Sequence, residues 1–176
     1  MNHEIVIAGF GGQGILFAGK VLVYAGMLDG HQVSWLPSYG PEMRGGTANC
    51  SVIISDTPIG SPIVNDPGVL VAMNLPSLDK FENAIVKDGY AFIDSTLISR
   101  KVERDDVKTF YIPATQLAQD NGMKGLANMI MLGKVIRELG VMDMDSIKNG
   151  LMKVIPERKR DMLEVNLKAV EMGYNF

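Results

Sequence analysis

Short apolar runs recur along the first two thirds of the chain, separated by segments in which apolar residues return every three or four positions. The runs are typical of strands buried on both faces of a sheet, and the spaced segments are typical of amphipathic helices. The predicted strands are residues 4–8, 32–36, 47–55, 69–73, 89–94 and 107–112. Helices are predicted between them, at 14–27 and from Asn74, where Pro76 stands in the first turn. This alternation predicts a layered α/β sheet.

The pattern changes to helices after Pro113. The predicted helices are 114–119, 126–139, one that begins at Asp143 or Asp145 and stops at Pro156, and 157–172. Residues 126–139 are apolar nearly all round, so this helix is either buried or covered by another subunit. We therefore expect a single domain over residues 1–176, with a Rossmann-like, mostly parallel sheet flanked by helices and a helical C-terminal region.

A glycine-rich segment, Gly9-Phe10-Gly11-Gly12-Gln13-Gly14, joins the first predicted strand to the first predicted helix. Glycine lets the backbone turn with positive φ and approach a ligand closely, and the first amides of the following helix carry partial positive charge. The segment therefore has the arrangement that binds a phosphate-bearing or other anionic ligand. The candidate binding residues are Gly9, Gly11, Gly12, Gln13 and Gly14.

A tight turn that packs the helix against the sheet would require the same glycines. Random placement of the chain's 19 glycines gives roughly 0.2 matches to the pattern G-x-G-x-x-G, so the motif has weight only through its position between a strand and a helix. Both interpretations, an anion site and a packing turn, stay open at this point.

A second glycine-punctuated loop follows the second predicted strand, from Ser38 to Gly46. Its arginine, Arg44, suits a phosphate or carboxylate because the planar guanidinium donates two hydrogen bonds at once. An ion pair between Glu42 and Arg44 that pins the turn is an equally good interpretation. The candidate binding residues in this loop are Ser38, Tyr39, Glu42, Arg44, Gly45 and Gly46.

Composition excludes several classes of function. The net charge of −3 and the pI near 5.4 argue against a nucleic-acid binder. Cys50 is the only cysteine, so the chain has no internal disulfide and cannot hold an iron–sulfur cluster, which needs about four thiolates. With His3 and His31 as the only histidines, we expect no metal site. No apolar run suits a membrane span, and Glu4 stands where a signal peptide would be basic, so we expect a cytoplasmic protein without membrane association.

Charged residues are scarce at the start of the chain, where the first 60 residues hold only six of the 37. This distribution indicates that the N-terminal half is enclosed in the sheet or covered by a partner chain. Methionines are frequent in the C-terminal helices, and their flexible side chains either fill the core or form a subunit contact. Self-association of the isolated chain is therefore expected as well. The methionines concerned are Met123, Met129, Met131, Met142, Met144, Met152 and Met162.

The two glycine loops together resemble the gamma subunit of 2-oxoacid:ferredoxin oxidoreductases, especially the 2-oxoglutarate type. The segments that carry the resemblance are Ile5-Val6-Ile7-Ala8-Gly9-Phe10-Gly11-Gly12-Gln13-Gly14 and Ser38-Tyr39-Gly40-Pro41-Glu42-Met43-Arg44-Gly45-Gly46. The length and the order of strands before helices are also similar, so the resemblance spans essentially the whole chain. It implies that the chain is one subunit of an enzyme that oxidatively decarboxylates a 2-oxoacid with coenzyme A, giving acyl-CoA, carbon dioxide and reduced ferredoxin.

The resemblance also implies which subunits of the enzyme hold the cofactors. Thiamine diphosphate, its magnesium ion and the iron–sulfur clusters belong to the alpha and beta subunits, with a delta ferredoxin subunit as an optional partner and ferredoxin as the electron acceptor. This chain has no Gly-Asp-Gly segment of a thiamine site, and none of its residues is expected to be catalytic. Coenzyme A is the candidate ligand for the amides of Gly11–Gly14 and for Arg44. The isolated chain is expected to be inactive.

Three alternatives stay open. The first is a gamma subunit of a pyruvate, branched-chain 2-oxoacid or indolepyruvate homologue. The second is an autonomous Rossmann-type NAD or flavin oxidoreductase. Two observations count against it: no acidic residue that could bind the ribose hydroxyls follows the second strand before Glu42, and the chain lacks room for a substrate domain. The third is a structural subunit whose glycine loops only shape an interface.

Overall fold

The computed structural model describes residues 1–39 and 47–176. Within these residues, six strands form one sheet and six helices pack around it. The strands are β1 (Asn2–Phe10), β2 (Gln32–Tyr39), β3 (Thr47–Ser55), β4 (Val69–Ala72), β5 (Tyr90–Asp94) and β6 (Lys108–Ile112). The helices are α1 (Ile15–Leu28), α2 (Leu75–Phe81), α3 (Ala114–Asp120), α4 (Ala127–Leu139), α5 (Met144–Val154) and α6 (Met162–Asn175).

The observed elements follow the predicted ones closely, and the largest difference lies at the last helix. This helix was predicted from residue 157, but Glu157–Lys159 forms a separate 3-10 turn and α6 begins only at Met162. The guanidinium of Arg160 donates to the carbonyl oxygen of Met152 at 3.2 Å, which ties the turn back to α5. Of the two proposed caps for α5, Asp143 is the one that accepts a backbone hydrogen bond, from Ser146.

The strand order is β2-β3-β1-β4-β5-β6. Pairing is parallel from β1 through β4 and β5 to β6, whereas β3 is antiparallel to both β1 and β2. The mostly parallel α/β class is confirmed, but β2 does not pair with β1 as a simple βαβ unit would require. The connection between β2 and β3 is too short for a parallel crossover, which needs about a dozen residues. The strand β3 therefore turns back and occupies the position between β1 and β2.

The core divides between the two faces of the sheet, because alternate side chains of each strand point to opposite faces. One face packs Ile5, Ile7 and Phe92 against α1, α4, α5 and α6. The other face packs Val6 and Leu70 against α2 and the segments around it. The enclosure of β1 and β3 by neighbouring strands and helices accounts for much of the low charge of the N-terminal half.

Helix α4 is buried by the chain itself, which decides between the two interpretations of its apolar sequence. Eight of its residues are buried, from Asn128 to Ile136, because the sheet lies on one side and α6 on the other. Gly133 lets the two helices approach closely, since a Cβ there would lie 1.9 Å from the carbonyl oxygen of Val170. Core filling likewise explains Met123, Met129, Met131 and Met142, whereas Met152 and Met162 stay exposed.

After β1 the chain continues towards one edge of the sheet, and after β4 it continues towards the other edge. The boundary between β1 and β4 is therefore the topological switch point of the sheet. The helix that follows β1 packs on one face, and the helix that follows β4 packs on the other. In open α/β sheets such a switch point leaves a crevice outside the carboxyl ends of the two strands, where ligands bind. The glycine-rich segment lies at this point. In the part of the chain that the structure describes, no helix combines the length and the apolar character that crossing a membrane would take.

Candidate functional site

Gln13 fixes the glycine-rich loop between β1 and α1. Its side-chain oxygen accepts a hydrogen bond from the backbone N–H of Phe10 at 2.6 Å, and its side-chain nitrogen donates to the carbonyl oxygen of Met73 at 3.1 Å. Its own backbone N–H donates to the carbonyl oxygen of Phe10 at 3.2 Å. One side chain therefore closes the loop and ties it to the end of β4 across the switch point.

The glycines of this loop serve two purposes. Gly9 is required for packing, because a Cβ there would lie 2.5 Å from the side-chain oxygen of Gln13 and 2.8 Å from Ile15. Gly12 is exposed and has a φ of +92°, and among the described residues no atom beyond its chain neighbours lies within 4 Å of where a Cβ would stand. The packing interpretation accounts for Gly9, whereas Gly12 leaves the backbone accessible to a ligand.

The start of α1 offers free backbone donors. Gly14 occupies the N-cap position in the left-handed region, no side chain of the described residues caps the helix, and its first turn holds no acidic residue. The first N–H groups of a helix have no acceptor within the helix and form the positive end of its dipole. The amides at the start of α1 are therefore suited to an anion.

A second helix begins beside the first. Helix α4 likewise has no acidic residue in its first turn, and no side chain in the described part of the chain caps it. Its buried Asn128 donates from the side-chain nitrogen to the carbonyl oxygen of Gly14 at 3.0 Å, so the two helix starts are joined directly. Lys124 and Gly125 precede α4, and sequence analysis did not single them out. Lys124 and Gly125 stand shortly before an apolar helix, as the glycines of the first loop stand before α1. This similarity is the sequence signal from which the two residues could have been predicted.

Two grooves meet at this junction, and both are lined by Gly12 and Gly125. The switch-point groove, of about 240 Å³, lies at the carboxyl ends of the parallel strands. It is also lined by Gln13, Met73, Leu97, Thr115 and Lys124. The helical groove, of about 520 Å³, lies between α1, β2, α4 and the α5–α6 connection. It is also lined by Leu16, Phe17, Lys20, Trp35, Asn128, Ile155, Lys159, Met162 and Asn166.

The second predicted loop is only partly described. Ser38 is exposed near the end of β2, opposite Asn49, and the backbone of Tyr39 pairs with Ala48. Because Thr47 pairs with Phe10, Tyr39 and Thr47 lie at the same sheet edge as the glycine-rich loop. The other candidates in this loop lie outside the described residues: Glu42, Arg44, Gly45 and Gly46.

Cys50 lies under the loop and is not suited to nucleophilic chemistry. Its side chain is fully buried, and burial raises the pKa of the thiol to about 12. The sulfur contacts the carbonyl oxygen of Ile15 at 3.7 Å. The thiol therefore stays protonated at neutral pH and acts as a small core residue, as predicted. Among the described residues, no three histidine, cysteine or acidic side chains gather in a group that could hold a metal ion.

Comparison with known proteins places the chain in a family. The family model for pyruvate ferredoxin/flavodoxin oxidoreductase matches residues 4–176. The 2-oxoglutarate synthase subunit KorC of Methanocaldococcus jannaschii is 36% identical, over 99% of this chain and 93% of the relative. The gamma subunit of a keto/oxoacid ferredoxin oxidoreductase from Geobacter sulfurreducens PCA has the same fold, with a TM-score of 0.83, 28% identity, and coverage of 98% of this chain and 96% of that one.

Other relatives are longer. The ketoisovalerate oxidoreductase subunit VorA of Methanothermobacter thermautotrophicus is 40% identical over 97% of this chain, yet this chain spans only 35% of its length. The same unit therefore occurs both alone and as part of a longer polypeptide. The chain belongs to the pyruvate ferredoxin/flavodoxin oxidoreductase family, as a gamma subunit of the 2-oxoacid:ferredoxin oxidoreductase type.

Proposed function

We propose that this chain is the coenzyme A-binding gamma subunit of an enzyme that converts a 2-oxoacid and coenzyme A to acyl-CoA and carbon dioxide, with reduction of ferredoxin. Thiamine diphosphate, magnesium and the iron–sulfur clusters reside in partner subunits in this proposal. The single cysteine supports that division, since a cluster needs about four thiolates. The alpha and beta subunits, and a delta ferredoxin subunit where one is present, are the partners, and the chain alone is inactive.

One observation supports the coenzyme A role above others: the glycine loop that leads into α1 lines, through Gly12 and Gln13, a groove that Lys124 also lines, at the switch point of the sheet. Coenzyme A carries a pyrophosphate and a 3′-phosphate. Backbone amides at a helix start and a lysine ammonium are both good donors to such groups. We assign the amides of Gly11 to Gly14 and Lys124 to phosphate binding, with Arg44 as a further donor.

We propose 2-oxoglutarate as the 2-oxoacid. The KorC relative matches this chain along nearly its full length, as a separate subunit of similar size. The longer VorA relative, whose name gives ketoisovalerate, makes the branched-chain acid the second candidate. The thiamine-bearing subunits select the acid in this proposal, so the substrate is tested on the complex and not on this chain.

The proposed activity is tested by purifying the chain with its partners from native cell extract. Viologen reduction is then measured with 2-oxoglutarate, ketoisovalerate, pyruvate and indolepyruvate, each with and without coenzyme A. We expect reduction that requires coenzyme A and is fastest with 2-oxoglutarate. Reduction of NAD by the chain alone would contradict the proposal and favour an autonomous dehydrogenase.

The coenzyme A role is tested separately, by substituting Gly12. Gly12→Ala places a side chain on the exposed backbone of the proposed phosphate site and should raise the KM for coenzyme A about tenfold, the effect of losing one charge-assisted hydrogen bond. Gly30→Ala is the matched control, because Gly30 has a similar φ of +87° and equally open surroundings. Equal KM values in both variants would favour a purely structural subunit.

A further inference from the structure

The helical groove is larger than the switch-point groove, at about 520 Å³ against about 240 Å³, and it lies beside the proposed phosphate site. Its walls include apolar side chains of α1, of α6 and of the segment that follows α5, among them Leu16, Phe17, Ile155 and Met162. Met162 is 41% exposed although it is a large apolar side chain. The groove therefore presents apolar surface to solvent that burial by another molecule would stabilise.

Two polar atoms in the wall have no hydrogen-bond partner within the described residues. They are the side-chain oxygens of Asn128 and Asn166, whereas the indole N–H of Trp35 is directed at the Cys50 thiol. The asparagine side chains are each only 4% exposed, and their nitrogens already donate to Gly14 and Met162. Buried polar atoms without partners are rare in folded proteins, so this wall carries unmet acceptor capacity beside an open groove.

The rim of the groove is positive. Lys20 and Lys159 line it, whereas none of the described residues that line it is acidic. The segment 153–161, which forms one side, holds four basic and two acidic residues, although the whole chain has a net charge of −3. Such local charge favours an occupant that carries carboxylates at its edges and apolar groups at its centre.

We propose that the helical groove receives a segment of a partner subunit of the same complex, with an apolar anchor residue flanked by aspartate or glutamate. The inference rests on the proposed role as a subunit. It is also supported by the longer VorA relative, in which the unit matched by this chain is covalently joined to a larger remainder. A peptide segment supplies backbone N–H donors, which suits a wall with unmet acceptor oxygens.

The single tryptophan of the chain, Trp35, makes occupancy directly observable. The chain is labelled with 5-fluorotryptophan and titrated with unlabelled partner subunits purified without it, and the ¹⁹F resonance of Trp35 is followed. We expect the resonance to shift as the partners bind. In Lys20→Glu/Lys159→Glu the apparent Kd should rise at least tenfold, because like charges would then face each other across the interface.

The matched control is Lys87→Glu/Lys148→Glu, which makes the same change of charge at two exposed lysines outside the groove. This control should bind like the wild type. Partner binding without a shift of the resonance, or equal loss of affinity in both double variants, would overturn the inference while leaving the subunit role intact. A shift that follows coenzyme A, or the concentration of the chain itself, would overturn it in favour of a small ligand or a second copy. Absence of any partner binding by the wild type would overturn the subunit role as well.

A photo-crosslinking residue in place of the exposed Met162 identifies the segment. We expect cross-links to one short stretch of a partner subunit that contains at least one carboxylate beside an apolar residue. Cross-links to a stretch without carboxylates would contradict the charge argument, and folding of the variant is checked by its thermal unfolding.

Discussion

The two grooves share Gly12 and Gly125 but are built from different kinds of structure. The switch-point groove is lined by residues that follow strands closely, such as Gly12, Met73 and Thr115, together with Lys124. The helical groove is assembled by side chains from helices far apart in sequence, such as Phe17 and Met162. A glycine loop beside a lysine suits an anion, whereas a larger groove with a positive rim suits a protein segment.

The largest effect on stability is expected from a substitution at the junction of the two grooves, because it should disturb both of them. A Cβ at Gly14 would lie 2.3 Å from the side-chain nitrogen of Asn128, and Gly14 has a φ of +73°. Gly14→Ala should therefore lower the free energy of unfolding by about 2–4 kcal/mol, from backbone strain and from the clash together. Urea unfolding measures this change.

The control for Gly14→Ala is again Gly30→Ala, which has the positive φ without any neighbouring atom. Strain alone should cost about 1 kcal/mol there. Equal destabilisation by the two substitutions would show that the contact between the helix starts adds nothing to stability.

A smaller effect is expected from Gln13→Leu, which acts on the switch-point groove alone. The substitution removes the hydrogen bonds to Phe10 and Met73 that hold the loop against β4. We expect a loss of about 1–2 kcal/mol in unfolding free energy and a higher KM for coenzyme A, with the Trp35 resonance unchanged.

Gln116→Leu is the control for this substitution, since the side chain of Gln116 donates an exposed hydrogen bond to Asp120 and the substitution leaves the backbone bond to Thr96 in place. Its unfolding free energy should stay near that of the wild type. A displaced Trp35 resonance in Gln13→Leu would show that the two grooves are not independent.

The smallest effect concerns pH and the contact between the start of α5 and the end of α1. Hydrogen bonds from the backbone and side chain of Ser146 hold the pKa of Asp143 below its ordinary value. The hydroxyl of Ser146 also lies 2.8 Å from Asp29, which links α5 to the end of α1. A carboxyl with a lowered pKa stabilises the fold above its ordinary pKa of about 3.9 and loses that contribution as pH falls through the folded-state pKa.

Asp143→Asn tests whether the ionised carboxylate contributes to stability, because asparagine caps a helix equally well but does not titrate. Between pH 6 and pH 3, the wild type should lose more unfolding free energy than Asp143→Asn. Parallel pH profiles for the two proteins would show that this carboxylate contributes nothing to the acid sensitivity.

The sequence predicted the elements better than their arrangement. The apolar runs located the strands because burial on both faces leaves a local pattern, as in β1 and β4. The short connection after β2 requires β3 to run antiparallel to it, but the insertion of β3 between β1 and β2 could not be predicted, since it depends on which strand edge remains free after β2 is placed. The glycine loop was found through local turn chemistry, whereas Asn128 and the helical groove arise from contacts between distant residues and leave no periodic signal.

The most direct test of whether ligand and partner bind at separate sites compares two variants. The KM for coenzyme A is measured in the assembled complex, and the affinity for the partner subunits is measured by titration. Lys124→Ala should raise the KM for coenzyme A about tenfold and leave partner affinity unchanged. Lys20→Glu/Lys159→Glu should weaken partner affinity at least tenfold and, at saturating partner, leave that KM unchanged. If either variant changed both quantities to a similar extent, the two grooves would be one site and the division proposed here would be wrong.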